Sequence, residues 1–210
     1  MNEELRDRIR QVVLQTVKES VRRERDKYKT PFSFYIFIDL RRESRFIAHS
    51  DGFILPDRSS LVGNVEFSLN RIARFPEELL SFIAAHEIGH CVTRKIHADQ
   101  EIEMPWVSAL CDALNAKSPD NVFFACKQDD TLLSYIKSVK MCFDARHENN
   151  CVHECIDAYA RDLLCLSQDD VVGYLRKLKA SSEGDSCDIE RRIEAAIDGK
   201  YAGCKETLVG

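Results

Sequence analysis

The chain has 210 residues, 31% of them charged and 44% hydrophobic, with a formal net charge of -5, which is enough length for one domain with a sizeable core. Basic and acidic residues are interspersed, so no polybasic face argues for nucleic acid or anionic membrane. No apolar run reaches the roughly 18 residues that span a bilayer, and the acidic start Met1-Asn2-Glu3-Glu4 lacks the apolar stretch of a secretory signal, so the expectation is a cytoplasmic protein with no transmembrane segment.

Between Asn2 and about Lys29, Leu5, Ile9, Val12, Val13, Val17 and Val21 recur at helical steps among many charges, which predicts one long amphipathic helix. Residues 1–30 are read as this helix, packed on a single domain over 31–200, with 201–210 as a loose tail. Pro31 stops the helix, and Phe32 to Ile38 has the aromatic and β-branched content of a buried strand. Asp39 to Ser44 reads as a charged turn. Phe46 to His49 and Gly52 to Leu55 read as two short strands parted by a turn at Ser50-Asp51-Gly52. Leu61 to Leu69 is a further extended segment, and Pro76-Glu77-Glu78 opens a helix with its acids at the positive end of the dipole.

That helix carries Phe82-Ile83-Ala84-Ala85-His86-Glu87-Ile88-Gly89-His90. Residues four apart share a helix face, so His86 and His90 can grip one ion, with Glu87 beside them as the base for an attacking water. His-Glu-x-x-His is the zincin signature, and here an apolar lead-in of Leu79, Leu80, Phe82 and Ile83 marks a core-packed helix. Gly89 lets another segment approach closely.

From His97 to Glu103 the chain is polar, short helical patches follow from Trp106 to about Asp130, and Thr131 to Phe143 reads as a helix. A further helix runs from about Cys151 to Leu166. Ser167-Gln168-Asp169-Asp170 is a capping signal for a helix over Val171 to Lys179. Ser181 to Ser186 is a linker, and Ile189 to Ile197 a last short helix. Nine cysteines at scattered spacing without a signal predict reduced thiols; Cys151 and Cys155 around His153 form a candidate second metal or redox site.

A catalytic zinc needs three protein ligands and one open position. His97 is the nearest histidine, but the metzincin arrangement places glycine and histidine where this chain has Thr93 and Ile96. The alternative lies downstream, in His153-Glu154-Cys155-Ile156-Asp157-Ala158-Tyr159-Ala160. His153 shares a helix face with Asp157; Glu154 is rotated away and can pair with Arg161 in solvent. His153 and Glu154 are thus the two candidates for a third ligand.

At these residues the chain resembles the HtpX and CAAX prenyl protease type of gluzincin, including the soluble minigluzincins. In that family a strand ending in an Asn-Ala-Phe-Ala-Leu-Pro-like stretch leads to an edge strand and then to the zinc helix. Gly52-Phe53-Ile54-Leu55-Pro56, Val65-Glu66-Phe67-Ser68 and Pro76-Glu77-Glu78-Leu79-Leu80 follow in the same order. Asp157-Ala158-Tyr159-Ala160 resembles the family's second motif, and Asp188 to Ile193 its terminal Arg-Ile element. Two departures stand out. Aligned on Asp157, the family's zinc glutamate falls on His153, and Ser186-Cys187 stands where the family often has His-Pro.

The resemblance implies an α+β, zincin-like catalytic domain: a small mixed sheet with an edge strand over the zinc helix, a helical C-terminal half and the long N-terminal helix. It implies a zinc metalloendopeptidase with Zn2+ on His86, His90 and His153, Glu87 as general base and Asp157 orienting a ligand. Val65, Glu66 and Phe67 would be the edge strand receiving a peptide or protein substrate. Arg192 or Tyr159 would stand in as transition-state donor, although Arg192 reads more readily as a structural ion-pair residue. A second expectation, from another class, is a metallopeptidase-like zinc-binding module that engages a partner without cleaving it.

Overall fold

The N-terminal periodicity produces helix α1, Glu3–Lys27. Ile9, Val13 and Val17 are wholly buried, and Leu5 and Val12 pack at the margin of the core. Thr16 and Ser20 are buried in the same stripe, and their hydroxyls donate to the carbonyls of Val12 (3.0 Å) and Thr16 (2.9 Å), so neither polar atom needs water. The three aliphatics contribute about 1.5–3 kcal/mol each by leaving water.

The structure is a computed structural model that describes residues 3–27, 33–44, 46–54, 60–93, 121–124, 153–181 and 186–199. It is mixed α and β, rich in helix, with one small sheet. The strands are β1 (Ser33–Arg41), β2 (Ala48–Ile54), β3 (Ser60–Ser68) and β4 (Asn121–Phe124), in the order β2-β3-β1-β4. β1 pairs parallel with β3 and with β4, whereas β2 runs antiparallel to β3. After β3 come a short α2 (Leu69–Ile72) and α3 (Glu77–Thr93); the C-terminal half supplies α4 (His153–Leu163), α5 (Gln168–Ser181) and α6 (Ser186–Ile197). Among the described residues no helix is long and apolar enough to cross a membrane.

Three sequence expectations are corrected here. The charged segment after Ile38 is still strand as far as Arg41, because β3 and β1 pair in parallel register as far as Arg41 and Ser68. The two short strands around Ser50-Asp51-Gly52 are one strand: β3 offers a continuous row of backbone partners, and Gly52 sits opposite Gly63, so ladder hydrogen bonds override the local turn preference. Third, Val65, Glu66 and Phe67 are not an edge. They lie in β3, paired with β2 on one side and β1 on the other, so their backbone polar groups are already spent. The open strand on that side of the sheet, among the described residues, is β2.

α3 lies between layers: it packs on α1, on α4, and on β2 and β3. Its residues from Leu79 to Gly89 are buried almost without interruption, as expected of a helix that is apolar around most of its circumference. Two glycines set how close its neighbours come. A Cβ on Gly63 would lie 2.9 Å from Ile36 Cδ1 and 3.1 Å from Cys91 Sγ, so its absence seats the end of α3 on the sheet. A Cβ on Gly89 would lie 2.8 Å from Ile156 Cγ2 and 3.1 Å from Tyr159 Cδ1, so its absence seats α4 against α3.

The C-terminal helices follow their local signals. Cys165 has a left-handed backbone (φ 53) and Leu166 N–H donates to Arg161 C=O at 2.9 Å, which closes α4 with a 6→1 bond. Ser167 Oγ then accepts from Asp170 N–H at 3.1 Å while Asp170 Oδ2 accepts from Ser167 N–H at 2.9 Å, a reciprocal cap for α5. α5 begins at Gln168, and α6 already at Ser186, three residues before the expected start. Within the stretch expected to hold short helical patches, Asn121–Phe124 is instead strand β4, drawn into the sheet by parallel pairing with β1; the expected features at His97, over 106–120 and 125–143, at Cys151 and over 201–210 lie outside the described residues.

Candidate metal centre

His86 and His90 project from one face of α3 four residues apart, and His153 opens α4, which packs against them. Their ligand atoms all lie within 4.8 Å of one another, and the ring centroids are 4.8, 5.1 and 5.6 Å apart, with edge-on packing in each pair. The Nε2 atoms of His86 and His90 face each other at 3.1 Å. Two nitrogens on a tetrahedral zinc at about 2.0–2.1 Å stand about 3.3–3.4 Å apart, so the spacing fits a shared ion with only a slight opening.

The atoms that remain for an ion are fixed from behind. Asp157 is wholly buried. Burial pushes its carboxyl up, but the Arg192 guanidinium and the His86 hydrogen bond outweigh that and hold it at about 2. An ionised carboxylate can only accept, so His86 Nδ1–H donates to Asp157 Oδ1 at 2.8 Å and Nε2 is left for the ion. Arg192, itself buried, grips both oxygens of Asp157 from Nη2 (2.7 Å) and Nε (2.8 Å). On the outer side, His153 Nδ1 stands 3.1 Å from Asp188 Oδ2, at ion-pair distance but without the alignment of a hydrogen bond. Burial and then the nearby His86 and Arg192 push its protonation down, which favours the neutral imidazole that binds metal.

Glu87 is buried, with 7% of its surface exposed, and sits about 100° around α3 from His86. The histidine pair, Glu87, His153 and Asp157 are thus brought together on two helices, as the sequence suggested. Glu154 is not part of the histidine cluster. Its Oε1 binds Arg191 Nε at 2.9 Å, whereas Arg161, the partner expected from sequence, turns to its neighbour Asp162 at 2.8 Å.

The two residues considered as transition-state donors make other contacts. Arg192 binds Asp157 through Nε and Nη2, and its Nη1 lies 3.9 Å from Asp188, which fits the reading of it as a structural ion-pair residue. Tyr159 lies with its ring against Gly89 and with Arg23 of α1 5.9 Å from its centroid. The partnership of Asp188 with His153 was missed. Its signal was present: Asp188 and Arg192 share a face one turn apart, as His153 and Asp157 do, so docking Arg192 on Asp157 carries Asp188 to His153. Cys155 is disulfide-bonded, which corrects the expectation of reduced thiols throughout and removes this cysteine from any second metal site. Cys91 and Cys165 are not disulfide-bonded.

Comparison with protein-family models, with curated proteins and with solved structures finds no match to this chain.

Proposed function

We propose that this chain is a zinc-dependent endopeptidase in which His86, His90 and His153 hold the ion and Glu87 is the general base. The observation that carries this reading is the convergence of three imidazoles from two helices, with the buried carboxylate of Glu87 one residue from the first. A zinc ion held by His86, His90 and His153 would supply the Lewis acidity that activates water and the scissile carbonyl. Glu87 takes the proton from the attacking water and passes it to the leaving amine. Asp157, held ionised by Arg192, keeps His86 in the tautomer that presents Nε2.

Three neutral ligands would leave the ion's charge facing Glu87 alone among the described buried carboxylates, since Asp157 is already paired with Arg192. An electropositive centre of this kind favours loss of a proton from water near neutral pH. An extended peptide would add to the open side of β2, the outer strand of the sheet that also packs on α3, through main-chain hydrogen bonds.

Glu87→Gln tests the reading, because it removes the base and keeps every ligand. The variant should hold zinc at the wild-type stoichiometry and lose hydrolysis by a factor of about 10²–10⁴; unchanged turnover of a cleaved peptide would sink the mechanism. One observation favours the second reading, a zinc-binding partner module: Arg192 is engaged by Asp157 through Nε and Nη2 and by Asp188 at 3.9 Å, which weakens its candidacy as the oxyanion donor. Stoichiometric zinc in a wild-type protein that cuts no member of a diverse peptide library would favour it.

A further inference from the structure

α4 and α6 carry complementary pairs in matching register. On α4, His153 precedes Asp157 by one turn; on α6, Asp188 precedes Arg192 by one turn. His153 meets Asp188 at 3.1 Å and Asp157 meets Arg192 at 2.7 Å. Each α6 residue therefore stands behind a metal ligand, Asp188 directly behind His153 and Arg192 behind His86 through Asp157.

Resting on the metal-centre reading, we propose that Asp188 is the positioning residue of the third ligand, and that through it the seating of α6 and the binding of the metal are one coupled equilibrium. A histidine ligand needs a proton acceptor on its second nitrogen, or its tautomer and ring angle are left open. A carboxylate ligand has no such need. Asp188 Oδ2 is the carboxylate oxygen at His153 Nδ1, while Oδ1 of the same group accepts from Arg191 Nη2 at 2.8 Å. That second bond anchors Asp188 to its own helix, so a force on His153 is transmitted to α6 as a whole. The coupling is reciprocal by linkage: whatever seats α6 raises metal affinity, and metal raises the protection of α6 by the same factor.

The test uses the whole chain and Zn2+ in competition with a chelator. Asp188→Asn should weaken zinc about 10–100-fold, with Asp188→Glu recovering part of the loss. Arg191→Ala, which removes the bond that anchors Asp188 to its own helix, should weaken zinc as well, but by less than Asp188→Asn. In amide exchange, zinc should slow exchange over 186–197 in the wild type and do so less in Asp188→Asn. Nitrogen-15 chemical shifts of the His153 ring should report a proton on Nδ1 in the wild type and a mixture of tautomers in Asp188→Asn. Wild-type affinity in Asp188→Asn, or zinc protection over 186–197 that is unchanged in that variant, overturns the proposal while leaving the metal centre standing. Absence of zinc binding by the wild type, or wild-type affinity in His153→Ala, overturns the metal-centre reading itself.

Discussion

The candidate metal centre has an inner and an outer half, built from the same chemistry in different surroundings. On the inner side a carboxylate with no exposed surface, Asp157, holds His86 and is clamped by the 92%-buried side chain of Arg192. On the outer side Asp188, 34% exposed, stands behind His153, 35% exposed. Low dielectric makes each interaction of the inner set strong and each unmade one expensive. Water competes on the outer side and makes the same pair adjustable. The inner half therefore fixes α3, α4 and α6 as a scaffold, and the outer half is where the site can respond to its ion.

Asp157→Asn should expose this difference most sharply. It keeps the shape but leaves a buried guanidinium without its countercharge, so unfolding free energy measured by denaturant titration should fall by about 3–5 kcal/mol; a loss under 1 kcal/mol would mean that the inner half is no more critical than the outer. Ile9→Ala should cost about 2–5 kcal/mol by emptying a packed site, yet leave zinc affinity unchanged, because Ile9 is a wholly buried member of the apolar core and carries no ligand atom. A parallel drop in zinc affinity would show that α1 belongs to the centre.

Acid should take the two halves apart in sequence. His153 is held below its ordinary value by burial and by nearby positive groups, so the unfolded chain takes up that proton first, and stability begins to fall as pH drops through about 6.5. Asp157 is held at about 2 against its ordinary 3.8. Its contribution, about 2 kcal/mol, is fully present above pH 3.8 and is lost between there and about 2. A stability curve flat from pH 5 to pH 2 would contradict the ionised inner pair. The smallest effect belongs to Glu154→Ala, which removes a pair with the 61%-exposed Arg191: about 0–1 kcal/mol in stability and unchanged zinc content. Loss of zinc there would restore Glu154 as the third ligand.

Periodicity was enough to identify α1, because its buried stripe repeats at every turn and survives any change of partner. The His86-Glu87-His90 spacing was equally legible, since a helix carries residues four apart onto one face whatever surrounds it. That His153 and not Glu154 joins the histidine cluster was anticipated from the face it shares with Asp157. Strand pairing was not: the alternation in Leu61 to Leu69 marks a strand but cannot say whether neighbours lie on one side or both, so Val65, Glu66 and Phe67 read as an edge until β1 and β2 are seen on either side. Nor could local propensity foresee β2 running straight through Ser50-Asp51-Gly52, where a partner strand outbids the turn.

Local spacing thus determined which residues can act together within one element. Which carboxylate stands behind which histidine, which arginine is consumed by an ion pair, and which strand is left open depend on contacts between segments far apart in sequence. Arg192 meets Asp157 across 35 residues and Asp157 meets His86 across 71; no helical or strand period reaches that far, so only the packing of α3, α4 and α6 could decide it.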